Sequence, residues 1–263
     1  MEYAYSLCEA MEFFLRELPE IPPQVTRIYL GSYFCDRYYC GISDGVWREC
    51  FDWVRQHGLG AVLVIPTPSQ HRLAEVKRRT DALLEKYDDC IREIVVNDHG
   101  MLNWVCAAFP DKALWLGRTM DKEPRDPRYP LPGSHQKLLG QLEQGLFGQE
   151  KLIGVETDVP CVDGEAVCPS GKLLGIHTPY AYLSMGRICE LASIGIPPSE
   201  KFQLYRGCRR QCMNHWLWYT QNESSFLKYG RAVYTPVSQE SAIPAGANVR
   251  MIESVLTAQV GEP

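Results

Sequence analysis

From Val25 to Leu116 short apolar runs alternate with longer amphipathic stretches, and no other feature of the sequence limits its fold as strongly. A continuously apolar run suits a parallel strand covered on both faces, and an amphipathic stretch suits the helix that carries the chain back to start the next strand. Val25–Gly31, Ala61–Ile65, Ile91–Val96 and Ala113–Leu116 read as strands. Val46–His57 reads as a helix stopped by Gly58, and Ser69 opens a helix running to Tyr87. The period then breaks at Met120–Gly133, whose four prolines predict a long irregular connection. A helix over Ser134–Leu146, strands over Leu152–Thr157 and Leu173–His177, and two or three short strands after Ala232 complete the reading. These units are too few for a full eight-fold repeat. The expected fold is therefore α/β, a single domain over residues 1–263 forming an incomplete or open TIM-like barrel, with a cysteine-bearing segment at Leu173–Tyr219.

The first residues, MEYAYSLCEAMEFFLRELPE, read as an amphipathic helix with early acidic groups, unlike a basic secretion leader. No run approaches the roughly 18 apolar residues of a membrane span, so a cytoplasmic location is expected. A net charge of −5 gives no general attraction for phosphate backbones, and no nucleic-acid partner is expected. Eleven cysteines are many for a chain without a leader. In a reducing compartment thiols with a role bind metal or catalyse, while the others pack as small apolar groups. Cys40, Cys50, Cys90 and Cys106 read as core thiols, and Cys161 with Cys168 flanks a polar turn where a weak metal pair is conceivable.

In parallel α/β folds ligands gather at the C-terminal strand ends. Here those ends carry Cys35, Asp98, His99, Arg118, Asp158 and His177. Further on, Cys208 and Cys212 form a C-x3-C pair, preceded by Cys189. Four thiolates suit zinc or an iron–sulfur cluster equally, and spacing does not choose between them; two helical cysteines on a packed face are the plain alternative.

The segments IYLGSYFCDR, IVVNDHG and HTPYAYLSMGRIC, followed by GCRRQC, resemble the landmarks of the UbiV branch of the collagenase-like peptidase family. The resemblance runs in order from Arg27 to Cys212. It implies that Cys35, Cys189, Cys208 and Cys212 ligate a [4Fe–4S] cluster. It further implies oxygen-independent hydroxylation with an organic oxygen donor such as prephenate, a small aromatic or polar acceptor, and a UbiU-like homologue as heterodimer partner. The long Met120–Gly133 insertion and the tail after Tyr229 depart from the pattern. Nothing in the sequence supplies a protease nucleophile with an obvious base.

The remaining candidates each have a plainer reading. Asp98 reads first as a helix cap and second, with His99, as a proton-exchanging or substrate-binding group. His177 reads as a satisfied strand histidine or a catalytic one. Arg118 and Arg125 can grip a carboxylate or form salt bridges. Glu156 and Asp158 alternate on one strand and face the same side, yet Asp158 also reads as a loop residue. Arg206, Arg209 and Arg210 either stabilise an anionic cluster or form a solvated face. The aromatic run His215–Tyr219 is expected to pack over the cluster. A cluster-binding subunit without catalysis of its own, a zinc protein and a peptidase are the rival functions.

Overall fold

The computed structural model describes residues 1–120, 151–158, 171–201, 208–237 and 248–261. The expected helix Ser134–Leu146, most of the proline-rich connection, Arg125, Cys161, Cys168 and Arg206 lie outside the described residues.

The chain forms an α/β barrel of eight parallel strands, and the barrel is closed. In chain order they are β1 (Glu2–Ser6), β2 (Val25–Gly31), β3 (Gly60–Ile65), β4 (Ile91–Val96), β5 (Ala113–Leu116), β6 (Leu152–Asp158), β7 (Leu173–Thr178) and β12 (Val249–Ser254). Closure corrects the expectation of an open or incomplete barrel. The closing pair is β1, which falls where a helix is expected, and β12, which falls among the short strands expected after Ala232; they join through Glu2↔Arg250 to Ser6↔Ser254. The N-terminal segment expected to be helical is strand β1 followed by helix α1 (Met11–Glu17).

β3 is buried along its whole length, which explains its unbroken apolar sequence. Helix α2 (Asp36–Gly41) follows β2, and α3 (Asp44–Gln56) starts where Ser43 Oγ accepts from Val46 N at 3.3 Å. Helix α4 (Leu73–Tyr87) follows a 3₁₀ turn at Gln70–Arg72, and α5 (His99–Ala108) follows β4. The short helix α6 (Leu256–Val260) closes the chain after β12.

Between β7 and β12 the chain builds a second, antiparallel sheet from β8 (Tyr180–Met185), β9 (Leu217–Gln221), β10 (Ser224–Tyr229) and β11 (Ala232–Pro236), in the order β8-β11-β10-β9. Its aromatic face covers the C-terminal mouth of the barrel. Phe34, just beyond β2, lies 4.6 Å from Tyr182 and 5.7 Å from Tyr234, ring centre to ring centre.

The opposite end of the barrel is filled by a polar knot. Glu93 accepts from Arg27 Nε at 2.8 Å, from Trp115 Nε1 at 2.6 Å and from Arg250 Nη2 at 3.1 Å. Arg250 also stacks 4.5 Å over the Trp115 ring. Gly154 leaves room for that ring, since a Cβ there would sit 2.3 Å from it.

Candidate metal centre

Four segments distant in sequence meet at one cavity beside the barrel mouth. Cys35 arrives as the N-cap of α2, its sulfur accepting from Tyr38 N at 3.4 Å. Cys189 follows β8 and donates to the carbonyl of Gly230 at 3.5 Å. Cys208 and Cys212 flank Arg210, a left-handed residue at φ 59° that breaks the chain before the 3₁₀ turn Gln211–Met213. The turn between β10 and β11 closes the remaining side with Tyr229, Gly230 and Arg231. Cys35, Cys189, Cys208 and Cys212 all line this cavity.

The loop that delivers Cys35 is fixed from below. Glu9, in a left-handed conformation after β1, accepts through Oε1 from Ser32 Oγ at 2.7 Å, Tyr33 N at 2.6 Å and Phe34 N at 3.2 Å. Ser32 Oγ in turn accepts from Cys35 N at 2.9 Å. Next to Cys35, Asp36 accepts from Ser69 N at 2.8 Å and from Arg231 at 3.4 Å. Burial pushes the Asp36 carboxyl up, but the Ser69 bonds and the Arg231 charge outweigh it and hold the group below its ordinary range.

Among the described residues Arg37, Arg187, Arg210 and Arg231 line the cavity with the Glu9 carboxylate, and two of these charges are offset by carboxylates beside it, Arg210 by Glu12 and Arg231 by Asp36. Burial pushes the Cys35 thiol up to about 12. For Cys212 burial and then the nearby Cys35, Cys189 and Cys208 do the same, to about 12. Charge on Cys35, Cys189 or Cys208 would therefore disfavour charge on Cys212.

The donor set fits a thiolate-bound centre. All nine described cysteines are free thiols, so none of the four is tied up in a disulfide. The cavity measures about 40 Å³, against roughly 10–15 Å³ for one water, so it offers more room than a single ion needs. Among the described residues no group of three or more His, Cys, Asp or Glu side chains forms a ready set for a metal ion. The four thiols line a space instead of converging on one point.

The other sequence candidates do not join this cavity. Asp98 caps α5, its Oδ1 accepting from Met101 N at 3.0 Å, and His99 begins that helix with an exposed side chain. Arg118 is buried in an ion pair with Asp158 and donates to the carbonyl of Tyr180 at 2.9 Å. It also faces the rings of Tyr33, Phe34 and Tyr234 at 5.6 to 5.8 Å. Asp158 therefore ends a strand as a buried partner, which corrects its reading as a loop residue. His177 lies inside the barrel, its Nε2 3.1 Å from Glu156 and its ring edge-on to Tyr33 at 5.0 Å.

Two further expectations change. The run His215–Tyr219 does not line the cavity; Trp216, Leu217 and Tyr219 are exposed, and only Trp218 turns inward to donate to the carbonyl of Val260 at 3.2 Å. Strand alternation along β9 explains why one aromatic turns in while its neighbours turn out. Of the expected arginines, Arg210 lines the cavity and Arg209 is exposed. Cys50 and Cys90 are buried as expected, while Cys40 and Cys106 are half-buried against the core.

Sequence reasoning passed over Glu9, Arg37, Arg187 and Arg231. Glu9 falls in a segment misread as helix, and the three arginines gain their place only from the tertiary fold. Among the described residues no helix is long and apolar enough to cross a membrane. Comparison with models of known families, with curated proteins and with solved structures finds no match.

Proposed function

We propose that this chain is an iron–sulfur protein of an oxygen-independent hydroxylation system, with Cys35, Cys189, Cys208 and Cys212 holding a [4Fe–4S] cluster. The observation that carries the reading is the gathering of these four free thiols at one arginine-lined cavity. Thiolate ligation gives such a cluster net negative charge, and the lining guanidinium groups supply the compensating field. When bound, the cluster would supply electron transfer, or would pin the C-terminal segment to the barrel. The reaction class, the prephenate-like oxygen donor, the small acceptor, the UbiU-like partner and the cytoplasmic location come from the resemblance to the UbiV branch.

A second reading, a cluster-bearing subunit that serves an active homologue, is favoured by a separate observation. The side chains expected to act on a substrate are engaged within the fold: Arg118 by Asp158, Asp98 by its helix and His177 by Glu156. The aromatic face of the antiparallel sheet covers the barrel mouth above them.

Anaerobic purification separates these readings. A brown protein with broad visible absorbance is expected, whereas a colourless, zinc-loaded protein would refute the cluster. The isolated, iron-loaded chain is then supplied with prephenate and aromatic acceptors under argon. Hydroxylated product from the chain alone supports the hydroxylase; product only after adding a co-purified homologue supports the subunit reading.

A further inference from the structure

Arg210 sits between two of the four cysteines and is held more firmly than a solvated arginine would be. Its Nη2 pairs with Glu12 of α1, and its Nη1 donates to the carbonyl of Gly41 at 3.2 Å. The guanidinium lies 5.0 Å over the Tyr38 ring. Tyr38 itself donates to the other oxygen of Glu12 at 2.7 Å and accepts from Met11 N at 3.0 Å. Nη2 also lies 3.9 Å from Met213 Sδ, and among the described residues Nε is buried without a partner. The residue also adopts a backbone conformation uncommon outside glycine, φ 59°.

A buried N–H without an acceptor is costly. Arg210 lines the cavity shared by the four thiols, where sulfur is one acceptor beside the Glu9 carboxylate, and its own backbone N–H already donates to Cys208 Sγ at 3.3 Å. We infer that Arg210 is a positioning residue that sets the reduction potential of the proposed cluster, holding a fixed positive charge and an Nε–H donor against its sulfurs, with Glu12 moderating that charge. This inference rests on the cluster reading above. Hydrogen bonds to the sulfurs and nearby charge are among the factors that tune such potentials.

The sign follows from charge. Reduction adds an electron, so removing a neighbouring cation makes reduction harder, and removing the anion that offsets it makes reduction easier. Arg210→Gln is expected to shift the one-electron midpoint to lower potential, by about tenfold in the reduction equilibrium or about 59 mV. Glu12→Gln keeps one oxygen for Tyr38 but sets an amide nitrogen against Arg210 Nη2, so it removes the offsetting charge and loosens that contact, and the midpoint is expected to move upward. Arg210→Lys keeps the charge without the Nε–H fork and is expected to fall between wild type and Arg210→Gln.

The experiment is an anaerobic redox titration followed by electron paramagnetic resonance, with iron and sulfide measured on each sample. A residue that merely latches the segment would lower thermal stability and iron content without opposite shifts in potential. Iron-loaded variants with the wild-type midpoint would overturn the inference and leave the cluster reading standing. If Arg210→Gln fails to hold iron, Glu12→Gln decides alone, and an unshifted midpoint there overturns the inference. A wild-type protein without iron and sulfide sinks both.

Discussion

Two carboxylates inside the barrel have opposite fates. Burial pushes Glu93 up, but the bonds and charge of Arg250, with further bonds from Arg27 and Trp115, outweigh it and hold the group below its ordinary value of 4.5. Its contribution to stability is complete above that value and is lost as pH falls through the lowered one. Glu156 has no such set of cations in direct contact, and burial pushes it up to about 8. At neutral pH it is largely protonated and can donate to His177 Nε2. Its contribution is complete below 4.5, where the unfolded group is also protonated, and is lost as pH rises toward about 8. Glu156→Gln removes this titration. In urea denaturation under argon the wild type should lose stability between pH 5 and 8, and the variant should lose distinctly less. Parallel slopes would show that Glu156 titrates normally.

At the scale of elements, β2 and the loop after it carry the cluster proposal, and Gly31 is their hinge. It sits at φ 124°, and a Cβ there would meet the Val64 carbonyl at 2.3 Å. Its own carbonyl accepts from Glu9 N at 3.2 Å. Gly31→Ala combines backbone strain with a clash against main chain, so a loss of about 2–4 kcal/mol is expected in denaturant unfolding. Iron retention should fall with it, because Cys35 lies at the end of the displaced loop. Full stability in this variant would mean that β2 and β3 separate more easily than their packing implies.

The same elements show what the sequence made legible. β2, β4 and β5 stand at the expected bounds, because their buried C-terminal halves are apolar runs followed or preceded by clear helix signals. β1 escaped notice because five residues of alternation, Glu2–Ser6, run into a genuine amphipathic helix. The antiparallel sheet was scarcely visible, since Leu217–Gln221 is a largely exposed strand in which only Trp218 turns toward the core. The four cysteines were readable by order and resemblance. The arginine lining was not, because Arg37, Arg187 and Arg231 come from three separate segments that only the fold assembles.

For the whole molecule, the cavity is a junction between two bodies of structure. Cys35 belongs to the barrel side, while Cys189, Cys208 and Cys212 belong to the segment that builds and borders the antiparallel sheet. A cluster bound only by the folded state adds its binding free energy to stability. Removing iron from the purified protein by air oxidation and a chelator should therefore lower the thermal midpoint. Limited trypsin digestion should then open the chain near Arg187 and Arg209, while the barrel strands stay protected. An unchanged midpoint and digestion pattern would mean that the junction stands without metal.

The central claim is that four particular sulfurs hold one inorganic centre. It is tested most directly by counting iron and acid-labile sulfide in anaerobically purified wild type beside Cys35→Ser, Cys189→Ser, Cys208→Ser and Cys212→Ser, with Cys50→Ser as a buried control. About four irons and four sulfides per wild-type and control chain are expected, with marked loss in each of the four variants. Equal iron in Cys35→Ser and wild type, or no sulfide in any sample, would contradict the account.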